Sequence, residues 1–310
     1  MSLALIVGSG RLPVVIDTTL RARGIEAPAF ALEGTPCHLA HAERFRLEHL
    51  GGFIAGLKAR GIDTICMAGG VRRPDLDPDA VDDATAPLLV RIGTAMAQGD
   101  DAALREFITL FEEHGLTIRA AHEICPELLL PAGVPSRVQL RAHHRDDAAR
   151  GAQIVAAMGA ADVGQACVVS RGLALAVEAL PGTDRMMRAL MADPKGAGQD
   201  RPDALRPESL MRDVLPLTDW LAEWFAQPQR PGRDPALPPG GILYKGAKPG
   251  QDRRVDLPVI GPDTMLTAAE LGLEGVVIEA GNVMVLDCDA VLRIADESGL
   301  FLWVRTSEEG

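Results

Sequence analysis

The sequence predicts two domains: an α/β domain over residues 1–135 built on a parallel sheet, and an α+β domain over residues 136–310 built from helices and β-hairpins. Three observations carry this. The first half alternates short apolar runs with helical stretches, the pattern of a parallel sheet with helices on both faces. After about Pro135 the alternation gives way to paired strand runs around two-residue turn signals. The chain has 310 residues, more than one core ordinarily serves.

Leu3 to Gly8, LALIVG, reads as a buried strand, and Arg11 to Arg23 as a helix. The strand-like PAFAL (Pro28 to Leu32) follows, then the short helix FIAGLKARG. Asp63 to Gly70 is a second buried strand ending in two glycines; Pro87 to Gln98 and Asp100 to His114 are helical; Leu116 to Ala121 is a further strand. Ligands of such sheets bind outside the carboxyl ends of the strands, at the loops Gly8-Ser9-Gly10, Glu33-Gly34 and Gly69 to Arg73. In the second half, Asp146 to Met158 is a helix. QACVVSRGLALAVEAL holds two strand runs around Arg171-Gly172, and GVVIEAGNVMVLD is a second pair turning at Gly281-Asn282. Helical stretches follow Gly182 and Cys288, so the two units look like a weak internal repeat, though their sequences match too loosely to insist on one. Asp193 to Pro239 has the composition of a linker, with one island: Leu217, Trp220, Leu221, Trp224 and Phe225 recur at amphipathic-helix spacing.

Hydrophobic content of 47% supports real cores, and a net charge of -12 argues against sequence-independent nucleic-acid binding. The cations that matter must be local. Five cysteines without a C-x-x-C pair read as buried free thiols of a reducing compartment. The opening MSLALIVGSG lacks the basic flank and length of a signal peptide, and no apolar stretch reaches the roughly 20 residues of a membrane span. The expectation is a cytoplasmic protein that meets a membrane only at its surface.

The run most loaded with chemistry is LYKGAKPGQDRRVDLPVIGPDTM, Leu243 to Met265. Pro and Gly break it too often for a helix, so Lys245, Lys248, Asp252, Arg253, Arg254, Asp256 and Asp263 fall on loops and strand ends. Such cations neutralise phosphate and such carboxylates hold hard metals or orient water; salt-bridged surface loops have the same composition. Gly8-Ser9-Gly10 starts a dinucleotide fingerprint, but Pro13 stands where its third glycine belongs. Glu33 is either a ribose ligand or a solvated loop residue. In MAGGVRRP, Gly69 and Gly70 permit close backbone approach, and Arg72 and Arg73 offer donor forks to phosphate or to Asp75, Asp77 and Asp79. Glu178 ends a strand and can face a cleft; Thr183 or Asp184 can cap the next helix. All seven histidines lie between His38 and His144, which leaves the second domain without imidazole and its chemistry to Asp, Glu, Lys or metal-bound water. Asp252, Asp256 and Asp263 make Mg2+ the natural cation.

LIVGSGRLP, MAGGVRRP, GDDAALR, AHEICPELL, DVGQACVVSRGLALAVEALPGTDRMM, KGAKPGQDRRVDLPVIGPDT, EAGNVMVLD and SGLF occur in this order along nearly the whole chain. In them the chain resembles the LpxI family of UDP-2,3-diacylglucosamine diphosphatases. The resemblance implies a Rossmann-like N-terminal domain, a family-specific C-terminal domain and Mg2+-dependent hydrolysis of the substrate pyrophosphate. The products would be UMP and 2,3-diacylglucosamine 1-phosphate, in lipid A biosynthesis. It matches the family's essential aspartate to Asp256, as catalytic group and, with Asp252, as metal ligand. Substrate contacts are expected from Gly8, Gly10, Gly69, Gly70, Arg72, Glu178, Thr183, Asp184, Lys245, Lys248, Asp252, Arg254 and Thr264. Lys245, Lys248, Arg254 and Arg72 would offset charge on the pyrophosphate. The expected partner is a glycolipid nucleotide, with transient contact at the inner-membrane surface and a homodimer. The Trp220–Phe225 stripe would pack the acyl chains, dip into the lipid interface or dock on the core. The chain departs from the family pattern in a longer segment at 193–239 and in Glu48-His49 of FRLEHLGGFI, where Gly-Gln is usual. The competing function is a dinucleotide-dependent oxidoreductase or nucleotide-binding regulator using the G-x-G turn and Glu33.

Overall fold

The computed structural model describes residues 2–71, 75–191, 232–234 and 236–306. Arg72, Arg73 and the Trp220–Phe225 stripe lie outside the described residues.

The N-terminal domain comprises β1 (Leu3–Val7), α1 (Leu12–Ala22), β2 (Ala29–Leu32), β3 (Glu43–Phe45), α2 (Leu50–Ala59), β4 (Thr64–Ala68), α3 (Ala86–Met96), α4 (Asp100–Glu113), β5 (Thr117–Ile118) and α5 (Ala121–Ile124). Its five strands pair in the order β3-β2-β1-β4-β5, all parallel. The central strands are apolar throughout because both faces are covered. Leu5 and Val7 pack with Leu12, Ile16 and Leu20 of α1, while their neighbour Ala4 faces Ile54 and Leu57 of α2, Ile92 of α3 and Phe111 of α4. This is the Rossmann-like sheet the resemblance implied. The short edge strand β3, sequence ERF, carries no apolar alternation and was invisible to pattern.

The C-terminal domain comprises α6 (Ala142–Ala160), β6 (Ala166–Ser170), β7 (Leu173–Val177), α7 (Thr183–Arg188), β8 (Ile242–Lys245), β9 (Val259–Ile260), α8 (Pro262–Glu270), β10 (Gly275–Glu279), β11 (Met284–Val285), α9 (Cys288–Ser298) and β12 (Phe301–Arg305). Its mixed sheet runs β12-β10-β8-β6-β7, with the first three parallel and β6 and β7 antiparallel to their neighbours. Tyr244, Phe301 and Trp303 fill one face beneath Ala148 and Val155 of α6; Leu243, Ile278 and Leu302 meet Met187, Met265 and Ile294 of α7, α8 and α9 on the other.

The first expected hairpin is present. Arg171 and Gly172 both have positive φ, 53° and 77°, as a two-residue turn between twisted strands requires, and both donate their N–H to Asp147. The second is not a hairpin. β10 is saturated by parallel partners on both edges, β8 and β12, so β11 leaves the sheet and pairs in parallel with β9. The two units therefore do not share a topology, and the proposed repeat does not hold.

The histidine reading also needs correction. His143 and His144 lie within residues 136–310, so that domain has imidazoles: α6 begins at Ala142, ahead of the expected Asp146, and carries both in its first turn, where His144 packs on Phe301. Its first turn was missed because a histidine closes it: His144 Nδ1 accepts the Arg141 N–H at 3.0 Å.

Among the described residues no helix is long and apolar enough to cross a membrane.

Candidate functional site

The strand order places the N-terminal domain's switch point between β1 and β4, whose following helices α1 and α3 pack into opposite apolar clusters. The two glycine loops meet there. Ser9 and Gly70 exchange backbone hydrogen bonds of 2.8 and 3.1 Å, and Ser9 Oγ donates to Gly70 O. A Cβ on Gly8 would lie 2.3 Å from the Gly70 carbonyl oxygen. Gly8 is thus demanded by contact between two loops as much as by any ligand. Gly69 (φ 89°) and Gly10 (φ 90°) occupy backbone conformations that side chains disfavour.

In the C-terminal domain, β7, β8 and β10 end on the same side of the sheet, where β6 begins. Glu178, Lys245, Glu279 and Gln165 therefore share one rim. From Lys245 the chain runs into the loop 246–258, which crosses to the N-terminal domain. Val255 packs against the α2–α4 side of the N-terminal sheet, and Leu257 enters the α1 side with Met284 and Leu286. Asp256, between them in sequence, is pinned in the seam at intermediate exposure.

Ion pairs stitch the same seam. Lys248 Nζ donates to Asp101 of α4 at 2.9 Å and to Asp162, beyond α6, at 2.7 Å. Burial opposes the Lys248 charge, but the two carboxylates outweigh it and hold the ammonium above its ordinary pKa. Arg254 donates to Glu112 of α4 at 2.6 Å. It also grips both oxygens of Asp252, at 3.0 and 2.8 Å, and this bond holds the Asp252 carboxyl below its usual range. Asp256 Oδ2 accepts from Gln251 Nε2 at 2.6 Å. Lys248 and Gln251 also help line a cavity of about 340 Å³, together with Arg253, Glu279, Asn282 and the small residues Ala152 and Ala156 of α6.

Three expected site residues form a buried chain behind this loop. Lys245, only 7% exposed, donates to Thr183 Oγ1 at 2.8 Å and to the Val259 carbonyl at 3.0 Å. Thr183 donates to Glu178 Oε1 at 2.6 Å, and Glu178 Oε2 accepts the Gln165 N–H. Burial pushes the Lys245 pKa down, against the pull of Glu178 and Asp184. Asp184 lies exposed in the first turn of α7, and neither it nor Thr183 caps that helix by a side-chain bond. Thr264 is buried at the start of α8, where Oγ1 accepts the Gly261 N–H at 3.4 Å.

The structure thus brings Lys248, Asp252, Arg254 and Asp256 together on one loop and sets Glu178, Thr183 and Lys245 beside it as an internal network. Gln251, Gln165 and Glu279 stand beside this loop without a sequence signal that singles them out. Two are neutral amides, without a charge to flag them. Glu279 accepts from Tyr244 Oη, the Ala247 N–H and Asn282 Nδ2, which a sequence cannot foretell.

Among the described residues, one group with metal-ligand chemistry stands apart, at the opposite end of the sheet: His143, His144 and Glu274, with ligand atoms within 4.8 Å of one another. The bond from Arg141 N–H to His144 Nδ1 leaves that ring's proton on Nε2, the nitrogen facing Glu274. A protonated nitrogen does not ligate a metal, so the group reads as a hydrogen-bonded helix start.

Family models described as the LpxI N-terminal domain and the LpxI C-terminal domain match residues 2–128 and residues 131–200 and 219–303. The UDP-2,3-diacylglucosamine pyrophosphatase LpxI of Caulobacter vibrioides is 35% identical over 309 residues, covering 97% of this chain and 96% of that protein.

Proposed function

The chain belongs to the LpxI family, and on that premise we propose that it hydrolyses the pyrophosphate bond of UDP-2,3-diacylglucosamine to UMP and 2,3-diacylglucosamine 1-phosphate. The observation that carries the reading is the placement of Asp256: a carboxylate fixed between two domains by the apolar residues on either side of it, in a loop rich in cations. No observation favours the dinucleotide-dependent alternative.

Mg2+ fits the donor set. Such an ion is ordinarily held by one or two carboxylates, with water and substrate phosphates completing its shell. Asp256 supplies one carboxylate, with Oδ2 fixed by Gln251 and Oδ1 left to reach a ligand. Asp252 would offer the lone pairs that its bonds to Arg254 leave free. When bound, the ion would offset phosphate charge. Asp256 orients the attacking water from the seam. Lys248 and Arg254 meet the pyrophosphate by exchanging a carboxylate partner for a phosphate one, anion for anion, so their charge is never left bare. Lys245 works from behind, ordering Thr183 and Glu178 rather than touching substrate. The glycine loops at the ends of β1 and β4 take the nucleotide side, as strand ends at a switch point do. A substrate with two acyl chains resides in a membrane, so turnover implies transient contact with the membrane surface.

The test is cleavage of UDP-2,3-diacylglucosamine, followed by UMP release with and without a chelator. Asp256→Asn should lower kcat by on the order of 10³-fold while the melting temperature holds. Activity within about tenfold of wild type would remove Asp256 from the chemistry. Chelator-resistant turnover would remove the ion.

A further inference from the structure

We propose that Gln251 is a positioning residue for Asp256, tying the direction of that carboxylate to the loop that carries Lys248. The inference rests on the reading of Asp256 as the carboxylate acting at the pyrophosphate.

Gln251 is buried, and its amide is fully used. Oε1 accepts the Lys248 N–H at 3.0 Å; Nε2 donates to Asp256 Oδ2 at 2.6 Å and faces Gln165 Oε1 at 3.4 Å. The partners fix which end is which. A backbone N–H only donates and an ionised carboxylate only accepts, so a flipped amide would lose both strong bonds. The backbone repeats the linkage: Gln251 N–H donates to the Lys248 carbonyl at 3.2 Å, and Asp256 N–H to the Asp252 carbonyl at 3.1 Å. Gln165 is anchored in turn, its N–H held by Glu178 at 3.0 Å.

A carboxylate on a loop has two soft torsions. One short bond from a buried donor fixes one oxygen and so aims the other. The same amide sits in the wall of the 340 Å³ cavity beside Lys248. A ligand that draws Lys248 away from Asp101 and Asp162 pulls on the backbone that Gln251 holds, and through it on Asp256. Pre-orientation of this kind changes turnover rather than affinity, because Gln251 touches the acting group and not the substrate.

The test uses two variants of the full-length protein, alone and combined with Asp256→Asn. Gln251→Leu removes both capacities. Gln251→Glu keeps an oxygen for the Lys248 N–H and the shape of the side chain, but replaces the donor to Asp256. Both should lower kcat about 10- to 100-fold, with KM held within about threefold. In the Asp256→Asn background, Gln251→Leu should cost nothing further, because its effect passes through the carboxylate already lost. Gln251→Glu with near-wild-type kcat, or losses that multiply in the double variant, would overturn the positioning role. If Gln251→Leu does not fold, Gln251→Glu decides alone. An inactive Asp256→Asn beside active Gln251 variants sinks this inference only; an active Asp256→Asn sinks the reading beneath it.

Discussion

Glu48 shows how one buried carboxylate can hold a loop in place. It is 5% exposed, bonded by Arg46 at 3.3 and 3.2 Å, and it accepts the Asp77 N–H at 3.0 Å. It thereby anchors the loop that follows MAGGVRRP. The Arg46 bond, with the Asp77 N–H behind it, lowers the Glu48 pKa from 4.5 to about 2. A folded-state pKa below the unfolded one stabilises the fold above the unfolded value, and the gain fades as pH falls through the folded one. Glu48→Gln should therefore cost about 1–3 kcal/mol at neutral pH, toward the lower end because Arg46 is partly exposed to solvent. The penalty should shrink as pH falls from 4.5 toward about 2. Urea midpoints of both proteins at pH near 7 and near 3 check this. A pH-independent difference would mean that packing, not charge, carries the effect.

Among elements, those that signal through apolar periodicity were legible and those that depend on a distant partner were not. β1, β4 and the β6–β7 hairpin follow from local pattern, because a doubly covered strand must be apolar throughout and a two-residue turn must admit positive φ. The second supposed hairpin failed because Val276 to Glu279 and Met284-Val285 look like a strand pair in sequence. Whether they pair depends on β8 and β12, which arrive from elsewhere in the chain. The site divides the same way. Asp256, Lys248 and Arg254 announce themselves by charge, whereas Gln251 acts by hydrogen-bond geometry that has no local signature. Gly8 yields an element-scale prediction. Alanine there would place Cβ 2.3 Å from the Gly70 oxygen, so the loops after β1 and β4 must part and the Ser9–Gly70 bonds must break. Gly8→Ala should cost about 1–3 kcal/mol as an overpacking change and weaken UMP binding by calorimetry. Unchanged stability would show that the loops separate freely.

At the scale of the molecule, two kinds of force join the domains, and their magnitudes separate their roles. The Arg254–Glu112 pair is well exposed on both sides, and such pairs contribute about 0–1 kcal/mol. Lys248 and Asp101, its partner across the seam, are better shielded, at 14% and 22% exposed, and a charge-assisted bond of this kind contributes about 1.5–3 kcal/mol. Against these stand Leu257, Met284 and Leu286, buried in the core of the opposite domain, each worth about 1.5–3 kcal/mol. The apolar plug therefore supplies most of the adhesion, and the ion pairs set the angle at which the charged loop meets α4. Leu257→Ala should cost about 2–5 kcal/mol by the lost burial and the cavity left behind. Because Leu257 follows Asp256 directly, kcat should fall with it, by up to about 10²-fold for a shift near 1 Å. Lys248→Met should instead cost about 1–3 kcal/mol, as Asp101 and Asp162 lose their shared donor. It should also make the midpoint less sensitive to salt, since the screened term has gone. Denaturation at low and high ionic strength, paired with steady-state kinetics, separates the two. If Leu257→Ala left kcat intact while Lys248→Met unfolded the seam, charge and not the apolar plug would be holding Asp256 between the domains.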